Sequence, residues 1–186
     1  MKTKLLSVRP GNSQHQGFTL LELMIVLAVL AVLLGWGMPS LTQSIRNNQV
    51  LAQTNELIAM LHFAKSEALR RNVPDDERVE VSLNPEDGGW SAFVLVEDAG
   101  DPPEGCEVGQ LRCSSNTDVL LSGSTEQILF NNRGYIRSED EDWNPETLFV
   151  QHTQCEGNSQ RRRIDITATG QVSSCSLPCD VEDACQ

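Results

Sequence analysis

Gly17-Phe18-Thr19-Leu20-Leu21-Glu22 opens the stretch that decides how this chain is built. From Phe18 to Met38 it reads FTLLELMIVLAVLAVLLGWGM, 21 residues in which Glu22 is the one ionisable side chain. An α-helix needs ~20 apolar residues to cross ~30 Å of hydrocarbon, so this run is long enough to span a bilayer. The 17 residues before it carry Lys2, Lys4 and Arg9 and no acid. Such a flank stays cytoplasmic, and everything after Met38 is expected on the far side. A secretory signal peptide fits less well. The apolar run exceeds the usual ~7 to 15 residues, and Gly-Trp-Gly-Met-Pro-Ser follows it rather than a small-x-small cleavage site. Glu22 needs a further explanation, because an unpaired carboxylate at membrane depth costs roughly 2.5 to 3.5 kcal/mol and this helix offers it no partner. Gly35, Gly37 and Pro39 weaken the helix in one place, which predicts a bend or a melted turn across residues 35–40.

Beyond Pro39, apolar positions Ile45, Leu51, Ile58, Leu61, Ala68 and Leu69 recur at roughly helical spacing. They predict an amphipathic continuation of the same helix to about Arg71. Lys65, Arg70 and Arg71 suit the negative end of the helix dipole, and Pro74 supplies the stop. After Pro74 the period changes to alternation. Strands are expected at Arg78 to Leu83, Trp90 to Val96, Val119 to Ser122, Gln127 to Phe130, Thr147 to Gln151, Arg161 to Thr167 and Gln171 to Ser174. Asn84 to Gly89 reads as a turn, and Asp98 to Cys113 and Ser138 to Pro145 read as loops. The layout is α+β, with antiparallel strands laid on the second half of one long helix.

The opening hexapeptide resembles the prepilin cleavage motif of type IV pilins and type II secretion pseudopilins. The resemblance implies that a prepilin peptidase cuts after Gly17 and that Phe18 becomes the methylated N-terminal residue. Glu22 is then an assembly residue, fifth in the mature chain, and Pro39 a helix-kinking proline. Each residue also has a physical reason to be there. Glycine leaves the backbone open to a protease. A free amine at Phe18 would be stranded in lipid unless the Glu22 carboxylate of a neighbouring subunit paired with it. FAKSEALRRN at the helix end, Phe130-Asn131-Asn132-Arg133-Gly134, Cys155 and a final Gly-containing hairpin resemble the GspH/FimT family. That resemblance implies a pilin fold. It also implies that residues 1–17 are the leader, 18–38 the transmembrane half of the helix, 39–72 its amphipathic half, and 73–186 a β-rich periplasmic domain. Implied partners are the prepilin peptidase, the inner membrane, and the major and other minor pilins or pseudopilins. The implied role is a minor pilin of a type IV pilus, with a GspH-like minor pseudopilin of type II secretion as the alternative.

FimT-type proteins linked to DNA uptake carry Gly-Arg-x-Arg in the last hairpin, whereas this chain has Gly170-Gln171-Val172-Ser173. Arg161, Arg162 and Arg163 alternate across the two faces of a strand rather than forming one basic patch. The chain carries 14 Lys and Arg against 26 Asp and Glu, a formal net charge of −12. Residues 73–186 hold 7 of those bases and 23 of the acids, so the acidity belongs to the displayed part. Such a surface repels a polyanion, and DNA is not an expected partner.

Six cysteines, Cys106, Cys113, Cys155, Cys175, Cys179 and Cys185, all follow the apolar run. Outside the cytoplasm an even set means disulfides, with 15 formal connectivities. Cys106 with Cys113, Cys155 with Cys175 and Cys179 with Cys185 would each close a local loop. Zinc is a poorer reading, since Cys175-x3-Cys179-x5-Cys185 lacks paired C-x2-C spacing. Asp140, Asp142, Asn144 and Glu146 alternate like calcium ligands, but Pro145 and Gln151 stand where an EF-hand loop needs Gly and Glu. The expectation is a solvated loop and no cofactor. His15, His62 and His152 are scattered, and no H-E-x-x-H, G-x-S-x-G or P-loop is present, so neither an enzyme nor a small-molecule substrate is expected.

Overall fold

The computed structural model describes residues 18–72, 78–86, 89–96, 100–137, 145–156 and 159–179, the side chains of residues 35–40 excepted. The elements in order are α1 (Leu20–Arg71), β1 (Val79–Glu86), β2 (Gly89–Leu95), β3 (Gln110–Asn116), β4 (Val119–Gly123), β5 (Gln127–Phe130), β6 (Ile136–Arg137), β7 (Glu146–His152), β8 (Arg161–Ile166) and β9 (Val172–Leu177). The chain divides into two units at Pro39 and Ser40. The helix is unbroken across residues 35–40, so the melted turn expected there is absent. One proline and two glycines remove too little hydrogen bonding to unwind a helix that strong helix formers continue on both sides.

Within residues 40–186 the strands form two antiparallel sheets, ordered β3-β2-β1-β5-β6 and β4-β7-β8-β9. Both turn their apolar faces onto one core with the helix. The helix contributes Val50, Thr54, Leu57, Leu61, Ala64 and Ala68, all buried and spaced alternately four and three residues apart. That spacing keeps one stripe facing the sheets. Of the six positions expected, Leu61 and Ala68 lie in this stripe, whereas Ile45 and Leu69 are about half exposed and Leu51 and Ile58 are only partly buried. The rest of the stripe was harder to see, because four of its six positions are Thr, Ala or a small β-branched Val. Thr54 is tolerated there because its hydroxyl donates to the Val50 carbonyl at 2.7 Å, so no buried donor is left unpaired. At the helix end the Arg70 and Arg71 guanidiniums bind Glu67, at 2.6 and 3.1 Å. Arg70 contributes most to holding that carboxyl below its ordinary range. Asn72 leaves the helix with φ 49°, a left-handed stop.

The expected strands all occur with small shifts at their ends, and two further strands were not anticipated. Residues 110–116 form β3 rather than the end of a loop. Its sequence QLRCSSN shows no apolar alternation, and it needs none, since β3 is an edge strand paired only with β2. β6 has two residues, too few to show any period. β1 runs on through Asn84, Pro85 and Glu86 where a turn was expected. Its pairing with β5 ends at Ser82, so Pro85 sits where the strand has one neighbour and its missing N–H breaks no ladder. Residues 138–144 of the second expected loop lie outside the described residues.

Cys106 bonds to Cys113, as one reading of the spacing had it, but Cys155 bonds to Cys179 and not to Cys175. The strand register gives the reason. Gln151 on β7, Arg161 on β8 and Leu177 on β9 stand side by side. The chain just past β7 therefore meets the chain just past β9, where Cys179 lies. Cys175 sits two rungs back, opposite Arg163. It too is disulfide-bonded, with its partner outside the described residues.

The helix, β5–β6 and β8–β9 meet at one point. Gly134 (φ 76°) and Gly170 (φ 67°) face each other, and the Lys65 ammonium donates to the carbonyls of Thr169 and Gly170, both at 3.0 Å. A Cβ on Gly170 would lie 2.3 Å from the Gly134 carbonyl oxygen and 3.2 Å from the Phe130 ring.

Two measurements test this architecture. Non-reducing peptide mapping should recover Cys106–Cys113 and Cys155–Cys179, and a Cys155–Cys175 peptide would contradict the register. Replacing Cys155 and Cys179 by Ser should cost about 3 to 4 kcal/mol, from the loop closed over 24 positions. Gly170→Ala should lower stability in urea by about 2 to 4 kcal/mol, since it adds a backbone clash to a left-handed φ. Gly100→Ala, at φ 73° with nothing within 4 Å of the added carbon, should cost only about 1 kcal/mol.

Candidate functional site

Helix α1 begins with a cap made by its own sequence. Thr19 precedes the first helical residue, its Oγ1 accepts the backbone N–H of Glu22 at 3.1 Å, and its carbonyl accepts that of Leu23 at 3.2 Å. Glu22 is thus the third residue of the helix, in the Thr-x-x-Glu spacing of a capping box. A carboxylate there also faces the positive end of the helix dipole. The cap was missed in the sequence, although Thr19 followed three residues later by Glu22 just before an apolar run is its signature.

Every described residue from Phe18 to Leu34 is exposed. Phe18 is 82% exposed, and the Leu, Val, Ile and Met side chains that follow are exposed around the whole circumference of the helix. A helix apolar on all sides belongs among lipids or other helices, because no face of it is suited to water. Among the described residues no helix is long and apolar enough to cross a membrane. The described side chains of this run stop at Leu34, short of the full apolar stretch Phe18 to Met38. Gly17 lies outside the described residues. Pro39 lies within α1, at the boundary of the two units.

The other singled-out residues are spread over residues 40–186. On β8, Arg163 pairs with Asp165 at 2.7 Å and Arg161 stacks over the Phe149 ring at 4.7 Å. Arg162 stands on the opposite face with Ile164 and Ile166, opposite Val150 and Ser176. The three arginines make no common surface. Glu146 is a buried residue of β7 that accepts a hydrogen bond from the Ser124 hydroxyl, while Asp140, Asp142 and Asn144 lie outside the described residues. Sequence reasoning also passed over Arg46. It reaches from the helix to the loop after β7, its Nη2 donating to Gln154 Oε1 at 2.6 Å and its Nη1 meeting Glu156 Oε2 at 3.2 Å. In the sequence, an Arg amid helical polar residues gives no sign of a partner more than a hundred positions away.

Comparison with known proteins bears on both halves. Residues 12–38 match the prokaryotic N-terminal methylation motif. A stretch of 98 residues is 34% identical to the type IV major pilin protein PilA of Myxococcus xanthus (strain DK1622), covering 52% of this chain and 42% of that protein. The chain thus spans less than half the length of that relative. No solved structure matches the chain. Residues 53–170, from the buried stripe of the helix through β8 to Gly170, match the family described as type II transport protein GspH. With a capped apolar helix, a methylation motif and two antiparallel sheets on one core, the chain belongs to the GspH family of pilin-like proteins.

Proposed function

We propose that this protein is a minor pilin, taking part in the assembly of a type IV pilus and built into the filament. The observation that carries the reading is the fully exposed apolar helix with one carboxylate at its third position. Prepilin peptidase removes residues 1–17 by cutting between Gly17 and Phe18, and Phe18 is methylated. The Phe18 to Met38 segment then holds the chain in the inner membrane as a single pass, with residues 73–186 in the periplasm. Glu22 guides the subunit into register with neighbouring pilins by pairing with a free N-terminal amine, since neither charge alone is tolerated in hydrocarbon. The Thr19 cap supports this by fixing where the helix begins and so where Glu22 stands. Gly35, Gly37 and Pro39 are where the helix bends as the subunit passes from membrane to filament. The role is structural, with no catalytic step. The disulfides suit an oxidising compartment, and the acidity of residues 73–186 favours protein neighbours over DNA.

The family match favours a second reading, a minor pseudopilin of a type II secretion system. Deletion of the gene separates the two: loss of surface pili with normal export of secreted enzymes supports the first, and the reverse supports the second.

Glu22→Ala should leave leader cleavage intact by mass spectrometry while lowering recovery in sheared filaments at least about tenfold, the change that goes with about 1.4 kcal/mol. Normal recovery would refute the assembly role. Thr19→Ala, which removes about 1 kcal/mol of capping, should give a milder, several-fold loss, and Thr19→Ser should restore recovery.

A further inference from the structure

His152 closes β7 with its side chain buried, 8% exposed. The backbone N–H of Gln154 donates to its Nδ1 at 2.9 Å. A backbone amide can only donate, so Nδ1 carries no proton and the ring is neutral. Gln154 is also the residue that the helix grips, through its carbonyl oxygen at 3.2 Å from Arg46 Nη1 and its Oε1 at 2.6 Å from Nη2. The loop is closed on itself as well: the His152 N–H donates to the Gln160 carbonyl, and the Glu156 N–H donates to Gln160 Oε1, both at 3.0 Å. Cys155 stands between the gripped residues and carries the bond to Cys179.

We propose that His152 is a proton-operated catch: its neutral ring holds Gln154 within reach of Arg46, and protonation at Nδ1 releases loop residues 153–156 from the helix. Protonation turns the acceptor into a donor that faces another N–H, and it sets a second cation near the Arg46 guanidinium. The charged groups around the ring are Arg46 on α1, Asp118 before β4, Glu156 on the loop itself and Arg162 on the same face of β8. Burial contributes most to holding the imidazole below its ordinary range, Arg46 adds to it, and Asp118 opposes it. Glu156 offsets little, being 72% exposed and so screened by water. The unfolded or released loop takes up its proton near pH 6.5, whereas the closed loop resists. The hold is therefore complete above that pH and weakens as pH falls through it towards the lower value of the closed form. The Cys155–Cys179 bond survives the release, so the freed loop stays tethered to the end of β9.

The test is hydrogen exchange on the full chain in detergent, read as protection factors at pH 7 and pH 5. Protection of residues 153–156 should fall several-fold from pH 7 to pH 5, while Leu148 to Val150 in β7 change little. His152→Asn keeps an acceptor near Nδ1 but does not titrate, and it should hold the loop at both pH values. Arg46→Gln should lower protection at pH 7 and reduce any further loss at pH 5. A loop equally protected at both pH values, or an unchanged pH response in His152→Asn, overturns the proposal. If His152→Asn does not fold, NMR titration of the wild-type ring decides, and an imidazole titrating at or above pH 6.5 overturns it.

Discussion

The stripe Val50, Thr54, Leu57, Leu61, Ala64 and Ala68 is the surface on which residues 40–186 are organised. Two sheets with four and five strands each have one apolar face to hide, and neither can hide it alone. The helix offers both of them the same narrow seam, so they share one core rather than forming two. Ala64 and Ala68 let the backbone of the helix come close, and the bulk that fills the core comes from the strands, with Trp90, Phe130, Ile128 and Ile164 fully buried. The Lys65 ammonium then fastens the β8–β9 turn to the helix, while Gly134 and Gly170 allow the turns of the two sheets to touch.

How much of this was legible in the sequence depended on how local its cause was. The apolar run, the cleavage-type motif and the helix to Arg71 are set by adjacent residues and could be read directly. So could seven strands whose alternation reflects a buried face. β3 could not, because an edge strand with one neighbour tolerates QLRCSSN, and hydrogen bonding to β2 rather than apolar pattern holds it. Leu61 and Ala68 of the buried stripe were read, while Val50 and Thr54 were passed over, because small residues mark close contact as surely as large ones mark burial. Cys155 found Cys179 through the register of three strands, which no spacing between cysteines encodes.

The candidate site divides the same way. Glu22 was conspicuous because a charge in an apolar run is improbable without a purpose, and the Thr19 cap was equally local though overlooked. Arg46, Gln154 and His152 were out of reach. Their meeting requires the end of β7 to lie against one particular turn of the helix, and in the sequence each taken alone is an ordinary polar residue.

The Cys155–Cys179 bond also has a mechanical meaning. Among the described strands β9 is the last and lies at a sheet edge, so its far end would ordinarily be the first to peel from β8, one hydrogen bond at a time. The disulfide joins the far end of β9 to the chain just past β7, skipping β8. The end of a strand with one neighbour is thereby held by an inner strand that is paired on both sides.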